Sequence, residues 1–122
     1  MKKFNIGKDF SPDPSGRYLS DGDASGERFR EDFLKPSLES LVDNEKLEIK
    51  LDDGVEGYGS SFLVEGFAGI VRHGYMTSEE LLGAISIVYS DEDFSFYKRK
   101  IITYIKEAKH NSNYWTFGDY IG

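Results

Sequence analysis

Residues 47–74 read LEIKLDDGVEGYGSSFLVEGFAGIVRHG, and the fold turns on them. Leu47, Ile49 and Leu51 alternate with charged residues, which is the period of a strand with one covered face. Gly54, Gly57 and Gly59 crowd the turn after it. Phe62, Leu63, Phe67, Ile70 and Val71 then recur at helical spacing, and Gly74 supplies a residue suited to ending that helix. Gly66 and Gly69 are poor helix formers, so they are expected where the helix backbone comes close to the sheet.

Upstream, SGERFREDFLKPSLESLVDNEK (25–46) places Ser25 to cap a helix whose apolar face is Phe29, Phe33, Leu34, Leu38 and Leu41. Pro36 falls inside it and predicts a kink or a restart. Before it, Phe4, Ile6 and Phe10 alternate with polar residues as in a short edge strand. The prolines and glycine of SPDPSG then suggest a hairpin to a second short strand at Arg17–Leu19. Downstream, TSEELLGAISIVY admits either a short helical turn capped by Thr77 or Ser78, or one long strand from Leu81 to Tyr89; the β-branched run favours strand from Ala84 onward. Phe94, Tyr97, Ile101, Tyr104, Ile105 and Ala108 form one face of a last amphipathic helix, with Lys98, Arg99 and Lys100 mostly opposite. The aromatic tail, residues 111–122, carries Tyr114, Trp115, Phe117, Tyr120 and Ile121, and so is expected to dock on this domain or on another chain.

One domain fits the 122 residues, of which 39% are hydrophobic and 15% aromatic. Twenty-two acidic against 15 basic residues give a net charge of −7, which disfavours nucleic acid and anionic membrane as partners. Cysteine is absent, removing disulfides, thiolate metal sites and a cysteine nucleophile. With no apolar leader or span in this sequence, the expectation is a soluble cytoplasmic protein.

The glycine turn invites a phosphate reading, because a strand-to-helix loop presents backbone N–H groups and a helix dipole to an anion. Gly54 and Gly59 have P-loop spacing, but Ser60 stands where the lysine belongs and Asp52, Asp53 and Glu56 add negative charge. The dinucleotide fingerprint fails at Phe62, which replaces its third glycine. Residues 21–32 resemble a calcium loop through Asp21, Asp23, Ser25 and Asp32. Arg28 at the apolar position, and Asp rather than Glu at the close, favour an ordinary turn and cap. His73 and His110 stand at helix ends, where the dipole favours a cation. Neither GxSxG nor HExxH occurs, and no catalytic set is complete.

With SGERFREDFLKP (25–36), LDDG (51–54) and GYGSSFLVEGFAGIVRHG (57–74) in this order, residues 16–108 resemble the bacterial STAS-like family of unknown function, distantly similar to anti-sigma factor antagonists. The resemblance implies an α/β (α+β) domain, a small mixed sheet with about three helices packed mainly on one face. It also implies a non-enzymatic regulatory module without a cofactor, binding a histidine-kinase-like ATPase through the loop and helix start at Gly57, Tyr58, Gly59, Ser60 and Ser61. In those antagonists the ATPase phosphorylates a serine in an Asp-Ser-Ser-Gly stretch. Ser60 is the matching residue here, with Gly59 in place of the Asp and Phe62 in place of the Gly. The first reading of Ser60 and Ser61 is helix capping, and phosphorylation is the second. The alternative function is a nucleotide or small-molecule domain using the same turn. Monomer and homodimer stay open.

Overall fold

A computed structural model describes residues 2–112. The aromatic segment predicted to dock lies, from residue 113 onward, outside the described residues.

Three strands, β1 (Lys2–Asn5), β2 (Leu47–Lys50) and β3 (Ile85–Val88), form one sheet in the order β1-β2-β3, and both pairings are parallel. The α/β class is as expected. No antiparallel member of the expected mixed sheet is found among the described strands. Parallel neighbours need a crossover, and helix α1 (26–39) supplies the first while α2 (60–72) and α3 (Ser78–Ala84) supply the second. When successive crossovers share one hand and move in one direction across the sheet, their helices fall on the same face. Burial agrees: Leu47, Ile49, Ile85 and Ile87 are buried, while Glu48, Lys50, Ser86 and Val88 between them are only half-buried. The last helix, α4 (Ser95–Glu107), packs on α2 and α3.

The predicted hairpin does not form. Lys2–Asn5 is an edge strand but runs parallel to β2, and Ile6–Phe10 coils into a single wide turn. Residues 17–19 are not a strand, because the Asp21 carboxylate accepts the N–H groups of both Arg17 and Tyr18 and folds them into a turn.

Helices α1 and α2 are each α-helical at both ends and π-helical in the middle, at Phe29–Leu34 and Val64–Ala68. Ser25 takes the cap position expected, its hydroxyl accepting the Arg28 N–H. The helix changes where Pro36 predicts a kink or a restart: the α-helical form resumes at Lys35 directly after the wide turn, with the exposed Pro36 in its first turn. Thr77 and Glu80 close a reciprocal capping box that starts α3, so the segment is a helix to Ala84 and a strand only from Ile85.

The glycines of α2 do allow a close approach, but to α1 rather than to the sheet. A Cβ on Gly66 would lie 2.9 Å from Phe29 Cδ2, and one on Gly69 would lie 2.5 Å from Arg30 Nη1. Phe29, Phe62 and Phe67 are fully buried where the two helices meet, and their rings form one cluster with those of Phe4, Phe10 and Phe33.

Candidate functional site

The carboxyl ends of parallel strands are where α/β proteins place ligands and partners, since the loops emerging there are free of sheet pairing. Here that edge is built by the loop between β2 and α2. Asp52 pins it: one carboxylate oxygen accepts the N–H groups of Ser90 at 2.8 Å and Asp91 at 2.6 Å, tying the exit of β2 to the exit of β3. Its other oxygen, Oδ1, is buried without a hydrogen-bond partner among the described residues. Asp53 accepts from Asn5 Nδ2 and lies 3.4 Å from Lys8 Nζ, and these contacts hold its carboxyl below the usual range. Val55 and Tyr58 are buried, and the Tyr58 hydroxyl donates to the Leu51 carbonyl at 2.6 Å. Burial pushes the Tyr58 pKa up, and the neighbouring Asp52 adds to it. Tyr58 is therefore a neutral anchor that folds the loop back onto β2.

Of the five residues singled out from sequence, the structure brings Tyr58, Ser60 and their neighbours to one surface. Gly57 lets the loop pass Tyr97, whose hydroxyl would lie 2.6 Å from an added Cβ. Ser60 is exposed and lines a shallow groove with Tyr58, Leu63, Phe96, Tyr97, Lys100 and Tyr104. Phe96 is 49% exposed, and Lys100 sits over its ring. Neither serine caps the helix. Gly59 is the residue before the first turn, in extended conformation and with no side chain to offer, so Ser60 and Ser61 are already helical. Ser61 instead lies within 3.5 Å of Arg17 Nη2. The first turn of α2 thus carries no side-chain cap and points outward, an electropositive helix start beside an exposed aromatic and a lysine.

The calcium-loop residues are not gathered around a point. Asp21 closes the turn at 17–18 and Ser25 caps α1, while Asp32 pairs with Arg28 at 3.5 Å on the exposed helix face. Asp23 contributes its backbone carbonyl to Arg28. Among the described residues no group of three or more His, Asp or Glu side chains could hold a metal ion.

A second polar cluster, not anticipated from the sequence, lies where the two π-helical segments face each other. In α2 the Gly69 N–H reaches back to Val64 O, as a wide turn requires, rather than to the carbonyl of Glu65. Arg30, 2% exposed, fills the gap: its Nη1 donates to Glu65 O at 2.7 Å and to Glu65 Oε2 at 2.6 Å, while Nε donates to Glu31 at 2.7 Å. Tyr75 donates to Glu31, and the His73 ring stacks on Tyr75 with its Nε2 4.0 Å from Glu65. His73 ends α2 as expected, but burial lowers its pKa, and the Arg30 charge adds to that, against the cationic form that the helix end favours. The available signal was one acid, Glu65, inside the apolar run FLVEGFAGIV, since a buried charge requires a partner.

A three-stranded parallel sheet covered by helices, with an anchored loop and an open helix start at its carboxyl edge, defines a small α/β domain of the STAS-like class. The chain belongs to the STAS-like domain family of unknown function (DUF4325), whose sequence profile matches residues 25–93. That match contains the whole of α1, the Gly57–Ser61 loop, α2 and the Arg30–Glu65 cluster, and it stops before α4 begins. No curated protein and no solved structure matches the chain. Among the described residues no helix is long and apolar enough to cross a membrane.

Proposed function

We propose that this domain is a non-enzymatic regulatory module of the bacterial cytoplasm that binds a protein partner, a histidine-kinase-like ATPase, through the loop and helix start at Gly57–Ser61. The exposed, uncapped first turn of α2, with Ser60 beside Phe96 and Lys100, is the observation that carries this reading. An exposed aromatic ring on a rigid element is what protein interfaces favour as an anchor, and the charge of Lys100 beside it would steer a partner of opposite charge. A phosphate on Ser60 would meet the positive end of the helix and Lys100, so the same surface accommodates modification. A nucleotide is the weaker reading, because the Asp52 Oδ1 oxygen and Asp53 stand at the base of the loop where phosphate groups would lie.

Co-purification from the native host tests the proposal. The unmodified chain is expected to retain a specific ATPase that Ser60→Lys and Lys100→Glu each lose while remaining folded; retention unchanged in both variants contradicts it. A thermal-shift series with ATP and GTP separates the alternative, since a ligand at a hundred times its dissociation constant adds about 2.7 kcal/mol to stability. A shift of that size with either nucleotide would move the assignment to a ligand-binding domain.

A further inference from the structure

Phe62 and Phe67 are five residues apart in α2, yet both rings pack against that of Phe29, with centroids 5.5 and 5.3 Å away. In an uninterrupted α-helix, at about 3.6 residues per turn, side chains five apart point about 140° away from each other, too far to share one ring. The wide turn at Val64–Ala68 removes that divergence. It takes in one extra residue, so the first turn of α2, residues 60–63, stands about 100° out of the phase that residues 69–72 would dictate in a regular helix. The direction in which Ser60 faces therefore depends on the wide turn.

A wide turn changes the hydrogen bonding of the backbone carbonyls inside it, and a buried carbonyl needs a donor. Here the Gly69 N–H goes to Val64 O, and the carbonyl of Glu65 is met by a side chain from the other helix, Arg30 Nη1 at 2.7 Å. The same nitrogen donates to Glu65 Oε2 at 2.6 Å and Nε donates to Glu31 at 2.7 Å, so the guanidinium is fixed at that carbonyl. Gly69 leaves the room for it: a Cβ there would lie 2.5 Å from Arg30 Nη1 and 2.9 Å from its Cδ. Gly26, at the start of α1, does the same for the first turn itself, since a Cβ on it would lie 2.7 Å from Phe62 O.

We propose that Arg30 is a positioning residue for the Ser60 surface: by occupying the Glu65 carbonyl it holds the wide turn of α2, and the wide turn fixes the direction in which the first turn presents Ser60. When the guanidinium is withdrawn, α2 closes toward a regular helix and its first turn rotates by about 100°. On a helix radius of about 2.3 Å that moves the Ser60 Cα by about 3.5 Å, and its side chain further. What the rotation means for binding rests on the partner proposed for this surface; the rotation itself does not.

The sequence contains no cysteine, so pairs of spin labels can be introduced without removing a native thiol. Ser60→Cys paired with Lys106→Cys, and Ser60→Cys paired with Asp43→Cys, read the first turn from two directions, and Asp43→Cys with Lys106→Cys is the control; all three positions are exposed. Arg30→Met/Glu65→Met removes the donor without leaving a lone buried charge. Gly69→Ala pushes the guanidinium off the carbonyl while keeping every charge. In each variant, with cooperative unfolding and far-UV circular dichroism retained, the Ser60 distances are expected to change by several ångströms while the control stays constant. Ser60 distances that stay constant in whichever variant folds overturn the proposal, leaving the phase of the first turn to the packing of Phe62 and Phe67. A control that moves as well also overturns it, because the change is then a general rearrangement. A trans-hydrogen-bond NMR coupling in the unmodified protein adds a check that needs no variant: the Gly69 N–H is expected to couple to the Val64 carbonyl, and coupling to Glu65 instead would overturn the proposal at its base. None of these readouts needs the ATPase, so constant distances count against the positioning role alone, and a failure to capture any ATPase counts against the partner reading alone.

Discussion

Arg30 shows how much one residue can decide in this molecule. A guanidinium taken wholly out of water is stable only if its donors are used, and Glu65, its carbonyl and Glu31 use them. The same cluster sets a pH dependence. His73 has its pKa lowered by burial and by the Arg30 charge, against which Glu65 and Glu31 pull in the other direction. In the unfolded chain the imidazole takes a proton near pH 6.5, whereas in the folded chain it resists until the pH is lower. Stability is therefore full above about pH 6.5 and declines as the pH falls below it. Burial pushes the Glu31 carboxyl up, but hydrogen bonds from Arg30 and Tyr75 outweigh it and hold the pKa down, adding a loss of the same sign at more acidic pH. The urea midpoint should fall between pH 7.5 and pH 5.5 in the unmodified protein, and fall less in His73→Gln; an equal fall in both would show that His73 is not the group responsible.

Helix α2 is the element on which packing and function meet. Its inner face is fixed by glycines against α1 and by phenylalanines in the core, while its first turn is left open. Gly59 has ordinary extended dihedrals, φ −82° and ψ 152°, and an added Cβ would meet nothing within 4 Å. Gly59→Asp should therefore supply the missing cap and stabilise the protein by roughly a few tenths of a kcal/mol; a lowered urea midpoint would show that the helix start is not open to a capping side chain. The strand-turn-helix unit at 47–74, the Ser25 cap and the amphipathic last helix were all legible, because periodicity and capping chemistry are local. Position 59 was misread by one residue, since Ser60 and Ser61 look like caps until the extended residue before them is known. The wide turns in α1 and α2 were not legible at all: a π-helical turn changes which carbonyl an N–H meets, without changing the apolar period enough to notice.

For the whole molecule, the class was visible in the alternation of strand and helix, and parallel pairing was not. An all-parallel sheet is usually covered on both faces and reads as unbroken apolar runs, whereas LEIK and AISIV alternate between buried and half-buried residues, the described helices covering one face. The hairpin expected near the start failed for a related reason: Asp21 binds two backbone N–H groups of the would-be second strand, a side-chain preference that no alternation pattern records. The resulting sheet has a carboxyl edge that gathers the Gly57–Ser61 loop, the exit of β3 and the start of α4 on one side of an acidic protein. We take this edge to be the face a partner meets. Site-specific photocrosslinking in the native host tests that most directly, with the crosslinker placed at Ser60 or at Asp43, which is exposed at the opposite end of the sheet. One ATPase should be captured from position 60 and not from position 43, and Phe96→Ala should reduce the yield. Equal capture from both positions, or none from position 60, would contradict this assignment of the partner face.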